Sequence, residues 1–295
     1  MIIVNLKGGL GNQMFQYALG RKLSLFSHQE FKFDLTGYER NNFRSYGLGI
    51  FNVLENFASH EEVRKIKYPY GLLSKGWRGF KSKILRIYST GWKPKTIEKI
   101  EKKLATGKDI YLDGYWQSYK YFEDIKDVLI KDFSLKIKLE ETHPELITKI
   151  ASTNSVALSV RRTDYLWPKN LKSIGICSAN YYKKAIKIIE AKVSDPFFFV
   201  ITDDLEWTKA NIPINCSVIY VSEMRKNNTI TYYQEMMLMS KCQHHIIANS
   251  SFSWWPAWLG KDLDKIVIAP DKWFTDNSLK INDIVPSTWI KLPRD

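Results

Sequence analysis

From residue 156 the chain reads VALSV (156–160), RRTDY (161–165) and, after a polar interval, ANYYKKAIKIIEAK (179–192), FFFVI (197–201) and TDD (202–204). The two outer runs are short and apolar, as strands buried on both faces require, and the middle run spaces its apolar residues at helical intervals. Strand, helix, strand is the repeat from which parallel sheets are built, because parallel neighbours need a crossover between them. The alternation continues through strands at Val218–Val221, His245–Ala248 and Ile266–Ala269, with helices at Thr231–Lys241 and Phe252–Leu259. The carboxyl-terminal half therefore reads as α/β, a Rossmann-like layer with helices on both faces of a parallel sheet.

The amino terminus supplies one more such unit: a strand at Ile2–Leu6, a tight turn at Gly8–Gly11 and a helix from Asn12 to Phe26. From Phe31 to Asp109 no period is sustained. The polar Lys149–Ser155 stretch is the expected domain boundary, giving an amino-terminal domain over 1–150 and a carboxyl-terminal one over 151–295.

With 295 residues, 44% of them hydrophobic, the chain has apolar material for a core in each half, which excludes disorder and fibrous structure. No apolar run exceeds five residues, against about 20 for a membrane span, and the first residues lack the layout of a secretory signal. Cys177, Cys216 and Cys242 form neither a disulfide framework nor a metal-site spacing, which points to a reducing compartment. A cytoplasmic protein is expected.

Lys and Arg exceed Asp and Glu by 13, and the window Arg64–Lys103 carries thirteen of the cations against Glu98 and Glu101, a local excess of +11. Within residues 75–88, Trp77, Phe80, Ile84, Ile87 and Tyr88 recur at near-helical spacing among Lys75, Arg78, Lys81, Lys83 and Arg86. Such a helix either docks on its own protein or lies peripherally on an anionic membrane surface, the inner face of the plasma membrane for a cytoplasmic chain. A nucleic-acid partner would also answer the charge, but it leaves the motifs outside the window unexplained, and no nucleic acid is expected.

Open parallel sheets bind ligands beyond the carboxyl ends of their strands. Three loops meet there: Arg161-Arg162-Thr163-Asp164-Tyr165, Thr202-Asp203-Asp204, and Asn249-Ser250-Ser251-Phe252-Ser253. Planar guanidiniums and the amides of a helix start both suit phosphate oxygens, so Arg161, Arg162, Asn249, Ser250, Ser251 and Phe252 form a candidate pyrophosphate site. Adjacent Asp203 and Asp204 diverge on extended chain, and His244 and His245 have no ligand-spaced partner, so no metal is expected. The glycine loop is neither a dinucleotide fingerprint nor a phosphate loop. It permits close backbone approach to a ligand, with Gly11, Asn12 and Gln13 at hand.

Gly8-Gly9-Leu10-Gly11-Asn12-Gln13-Met14-Phe15-Gln16-Tyr17-Ala18 resembles the opening motif of the alpha-1,2-fucosyltransferase family, glycosyltransferase family 11. Ser159 to Tyr165 resembles the family's His-x-Arg-Arg-Gly-Asp-Tyr, with Ser159 in place of the histidine and Thr163 in place of the glycine. Thr202-Asp203-Asp204 with Glu206-Trp207, the run Met239–Leu259, and Gly114-Tyr115-Trp116-Gln117-Ser118 are similar to further family segments, in the family's order. The resemblance implies a GT-B fold, two Rossmann-like domains facing a cleft, and an inverting, metal-independent transfer of L-fucose from GDP-beta-L-fucose to a galactose hydroxyl of a glycan, giving an alpha-1,2 linkage; the alternative is a GDP-fucose transferase with another linkage or acceptor. On this reading Arg161 meets the charge growing on the diphosphate, with Arg162, Asp203, Asp204, Asn249, Ser250, Ser251 and Phe252 around the donor and Gly11, Asn12 and Gln13 closing it. Trp116, Gln117 and Tyr165 stand on the acceptor side. Asp164 is either the base that takes the acceptor proton or the group that orients the arginines.

Overall fold

The computed structural model describes residues 1–39, 44–67, 84–89, 94–276 and 283–295, with backbone alone at 67, 84–89 and 94–96. The chain divides into two units, Met1–Ser134 with Ile281–Ile284, and Leu135–Lys280 with Val285–Asp295.

In the first unit four parallel strands lie in the order β2-β1-β4-β3: β1 Ile2–Asn5, β2 Phe31–Asp34, β3 Ile84–Ser89 and β4 Asp109–Gly114. The predicted first helix is Leu10–Ser27. It lies close against β1 because Gly20 has no side chain: a Cβ there would stand 2.8 Å from the Val4 side chain. Its Tyr17 hydroxyl donates to Asp132 at 2.7 Å, so the helix is also tied to the unit's last turn.

The helix expected over 75–88 does not survive where it can be seen. Its last residues belong to β3, paired in parallel with β4 from Ile84↔Asp109 to Ser89↔Gly114. Ile84-Leu85-Arg86-Ile87-Tyr88 suits a strand as well as a helix on propensity, and a neighbouring strand decides between them. Residues 75–83 of that segment lie outside the described residues.

In the second unit six parallel strands follow the order β10-β9-β8-β5-β6-β7: β5 Asn154–Val160, β6 Pro196–Thr202, β7 Val218–Tyr220, β8 His244–Ile246, β9 Val267–Pro270 and β10 Ile290–Leu292. Five of the six lie where the apolar runs placed them. β5 is central, with Leu158 registered between Val200 and Ile246, and the core grows from Val156, Leu158, Val200 and Ile246 against Tyr181, Ala185 and Ile189 of the helix Ala179–Lys192. That helix begins where Ser178 caps it, accepting from the Tyr181 amide at 3.1 Å.

The boundary falls between Ser134 and Leu135 rather than near residue 150. Lys149–Ser155 is no linker: the helix Pro144–Ala151 runs straight into β5, and the Lys149 ammonium sits 4.6 Å over the Phe197 ring of β6. Its polarity belongs to a tight, exposed helix-to-strand turn. Among the described residues no helix is long and apolar enough to cross a membrane.

Candidate functional site

Because β5, β6 and β8 are parallel neighbours, the loops that follow them emerge on one edge of the second sheet, with the arginine loop between the other two. Arg161 leaves β5 and is clamped by two carboxylates, Nη2 to Asp164 Oδ1 at 2.6 Å and Nη1 to Asp203 Oδ2 at 3.1 Å, while its side chain keeps 30% of its surface exposed. The guanidinium of Arg162 stacks 3.5 Å over the Trp207 ring, and its Nε pairs with Asp204 at 3.2 Å.

Asp203 and Asp204 hold the arginine loop from the end of β6. Asp203 accepts from the Arg162 amide at 2.8 Å and the Thr163 hydroxyl at 2.7 Å besides pairing with Arg161. Asp204 caps the helix Leu205–Asn211 by accepting from the Trp207 amide. Both carboxylates shape the arginine loop. Asp164, at 2.6 Å from the Arg161 guanidinium, has the geometry of an orienting group, and of its two expected roles that is the one the contacts favour.

Behind this loop lies a network that sequence reasoning missed. The Thr202 amide donates to Ser222 Oγ at 2.9 Å, Ser222 Oγ donates to Glu235 at 2.8 Å, the Glu235 carboxylate pairs with Arg225 at 2.8 Å, and Arg225 Nη2 donates back to the Thr202 carbonyl at 2.8 Å. One buried carboxylate, 1% exposed, therefore grips the end of β6 from both sides. Burial raises the Glu235 carboxyl above its ordinary range, while Arg225 opposes the shift. The one sequence signal was a carboxylate amid methionines in Gln234-Glu235-Met236-Met237.

The third loop splits between scaffold and site. Asn249 is buried, and its side-chain amide donates to the carbonyls of Ile174, Gly175 and Trp273 at 3.1–3.2 Å, so it fastens the loop and is not available to a donor. Ser250 caps the helix Ser251–Leu259, accepting from the Phe252 amide at 3.3 Å. Ser251 and Phe252 stay partly exposed in the first turn, where the helix dipole favours an anion. The helix is anchored by buried Trp254, Trp255 and Trp258, the first and last stacked at 5.7 Å. Tyr165 reaches across from the arginine loop, its hydroxyl donating to the Asn249 carbonyl at 3.3 Å.

In the first unit the glycine turn has the form the sequence suggested, but fewer of its side chains face outward. Gly8 takes φ +79°, and a Cβ there would meet the Asn12 side chain at 2.7 Å. Gln13 is buried: its amide donates to the carbonyls of Gly8 and Ser45 and accepts from the Gly47 amide at 2.8 Å, so it stitches the turn to the following segment instead of meeting a donor. Gly11 is buried in the helix's first turn. Asn12 is partly exposed and accepts from Gln117 at 2.8 Å. Trp116 is fully buried, edge-on to Tyr121, at φ +53°. A side chain with no exposed surface does not touch an acceptor, and its expected place on the acceptor side is withdrawn; Gln117 is nearly as buried.

The model of the glycosyl transferase family 11 matches residues 75–293. The chain is 33% identical to an alpha-1,2-colitosyltransferase of Escherichia coli over 100% of this chain and 99% of that protein. It is 32% identical to the O-antigen biosynthesis glycosyltransferase WbnK of Escherichia coli, over 97% and 99%. Galactoside alpha-(1,2)-fucosyltransferase 1 of Leontopithecus chrysomelas is 24% identical over 50% of this chain and 42% of its own. Among solved structures, a variant of Arabidopsis thaliana FUT1 in complex with GDP shares the fold with a TM-score of 0.54, covering 94% of this chain and 72% of its own at 12% identity. The α/β architecture, with a parallel sheet in each of two units, is of the expected GT-B type.

Proposed function

Because the chain belongs to glycosyl transferase family 11, we propose that it is an inverting glycosyltransferase moving L-fucose from GDP-beta-L-fucose to a galactose hydroxyl of a glycan in alpha-1,2 linkage. The observation that carries the reading is the Arg161 clamp beside an open helix start. As the glycosidic bond of the donor breaks, negative charge gathers on the departing diphosphate, and fixed cations and amides aimed at it lower the barrier without having to reorganise. Asp164 and Asp203 hold Arg161 at that station, Arg162 on its Trp207 ring stiffens the loop, and Ser251 with the helix amides offers further donors. The second unit holds the nucleotide in this scheme, and the first contributes to recognition of the acceptor. No divalent ion takes part, and chelation with EDTA is expected to leave turnover unchanged.

A second donor has a specific observation behind it, the full-length likeness to a colitosyltransferase. Colitose is L-fucose without its 3-hydroxyl, so GDP-colitose fits the same diphosphate chemistry and differs at one sugar position. Purified protein incubated with each donor and a set of β-galactosides, with the product linkage read by NMR, tests both readings. No glycosylated product from either donor rejects the proposal. The +11 of Arg64–Lys103 supports attachment to an anionic membrane surface, where lipid-linked acceptors reside. Vesicle co-sedimentation that is unchanged when Lys81, Lys83 and Arg86 are neutralised refutes that attachment.

A further inference from the structure

Trp167 alone among the described tryptophans is exposed, with 57% of its surface open, while Trp116, Trp254, Trp255, Trp258, Trp273 and Trp289 are buried. It sits in the arginine loop. The 3-10 turn Thr163–Leu166 brings the chain back on itself, the Leu166 amide donating to the Arg162 carbonyl at 3.0 Å and the Trp167 amide to the Asp164 carbonyl at 3.4 Å. The Asn170 side chain donates to that same Asp164 carbonyl at 2.7 Å, and the Leu171 amide donates to the Trp167 carbonyl at 2.8 Å, opening the helix Pro168–Ser173. The indole is thus carried on a braced turn three residues from the carboxylate that clamps Arg161.

Leu166, its chain neighbour, and Leu171, one helical turn on, are exposed as well, which concentrates apolar surface in a loop whose other residues include Thr163, Lys169, Asn170 and Lys172. An apolar patch ringed by polar groups marks a binding surface, and an indole, rigid and flat, loses little conformational freedom when it is covered. A galactopyranose has an axial 4-hydroxyl, which leaves the hydrogens on C3, C4 and C5 together on one apolar face, and that face is the complement of an indole ring.

We propose that Trp167, with Leu166 and Leu171, is the platform on which the terminal pyranose of the glycan acceptor stacks, its hydroxyls turned to the polar rim. The inference rests on the glycosyl-transfer reading above and adds to it where the acceptor is gripped. It continues the catalytic edge on the same loop and does not depend on which sugar nucleotide is the donor.

The test is steady-state kinetics of the full-length protein, wild type, Trp167→Ala and Trp167→Phe, with lactose and N-acetyllactosamine as acceptors and both KM values measured. The alanine variant is expected to raise the acceptor KM by about tenfold or more, the scale on which an anchoring tryptophan acts, with the donor KM unmoved. The phenylalanine variant, which keeps a flat ring, should recover most of the loss. An acceptor KM within about twofold of wild type in Trp167→Ala overturns the platform, as does a parallel rise in both KM values, which would reveal a disturbed arginine loop. A wild-type dimer in sedimentation that Trp167→Ala dissociates also overturns it, because the patch would then belong to a second copy. Wild-type protein that transfers no sugar rejects the functional reading itself and is told apart from these outcomes by the wild-type assay alone.

Discussion

Replacing Arg225 with alanine isolates the buried half of the network that steadies the loop after β6. Glu235 is 1% exposed and stands 2.8 Å from the guanidinium, so the variant must either bury an unpaired carboxylate or protonate it. Leaving the charge buried costs about 3–5 kcal/mol. Protonation costs about 1.4 kcal/mol for each pH unit above the carboxyl's ordinary 4.5, or about 3.4 kcal/mol at pH 7, and is the cheaper route. The pH dependence has a definite sign. Burial already raises the folded-state value in wild type, and losing Arg225 raises it further. Between 4.5 and that raised value the folded variant holds more protons than the unfolded chain, so its stability falls as pH rises. Losing the bond from Arg225 Nη2 to the Thr202 carbonyl adds about 1 kcal/mol at every pH. Guanidinium denaturation of wild type and variant should therefore show a difference of about 1 kcal/mol near pH 4.5 that grows with pH, to at most about 4 kcal/mol at pH 7, because the raised carboxyl of the wild type takes up part of the increase. Adding Glu235→Gln to the alanine variant should remove the pH-dependent part. A deficit that is flat with pH, or a double variant no more stable than the single one at pH 7, refutes the reasoning.

Three further outcomes follow from named contacts. Arg161→Lys keeps the charge but cannot bridge Asp164 and Asp203 with two nitrogens; kcat is expected to fall by about a hundredfold, and near-wild-type turnover would remove Arg161 from the chemistry. Asn249→Ala strands the carbonyls of Ile174, Gly175 and Trp273 and should lower stability by about 2–3 kcal/mol in a denaturant titration; a loss confined to activity would return Asn249 to the donor. Burial pushes the His245 ring down to about 3 from its ordinary 6.5, so the fold holds it neutral and stability is lost as pH falls from 6.5 toward 3. His245→Leu should flatten that acid limb by about 1.4 kcal/mol per pH unit, and an unchanged limb would contradict the assignment.

The second unit was readable because its strands are buried on both faces and so appear as uninterrupted apolar runs, and because the helix Ala179–Lys192 has a strong period and a serine cap. β10 escaped notice since Ile290-Lys291-Leu292 is three residues long and alternates like a surface turn. β3 reads as a helix because Ile84, Ile87 and Tyr88 stand at i, i+3 and i+4, a spacing that suits a helix, and only the pairing with β4 makes it a strand. The meeting of the three loops on one sheet edge was legible, since it follows from strand order. The division of labour within it was not. Carboxylates next to arginines look alike in sequence whether they face a ligand or each other, and the contacts of Asp203, Asp204, Gln13 and Asn249 depend on loops that meet only in the folded chain. Trp116 and Trp167 show the same limit from the other side, because burial, not identity, separates a packing indole from an open one.

One practical consequence lies at the opposite edge of the second sheet, where the turn Lys261–Lys265 leads into β9 with Leu263 98% exposed. Parallel strands put this turn at the far end from the arginine, aspartate and serine loops. A tether grafted there, whether a biotinylation peptide or a resin linkage, would leave the edge that carries those three loops pointing away from the support and open to solution.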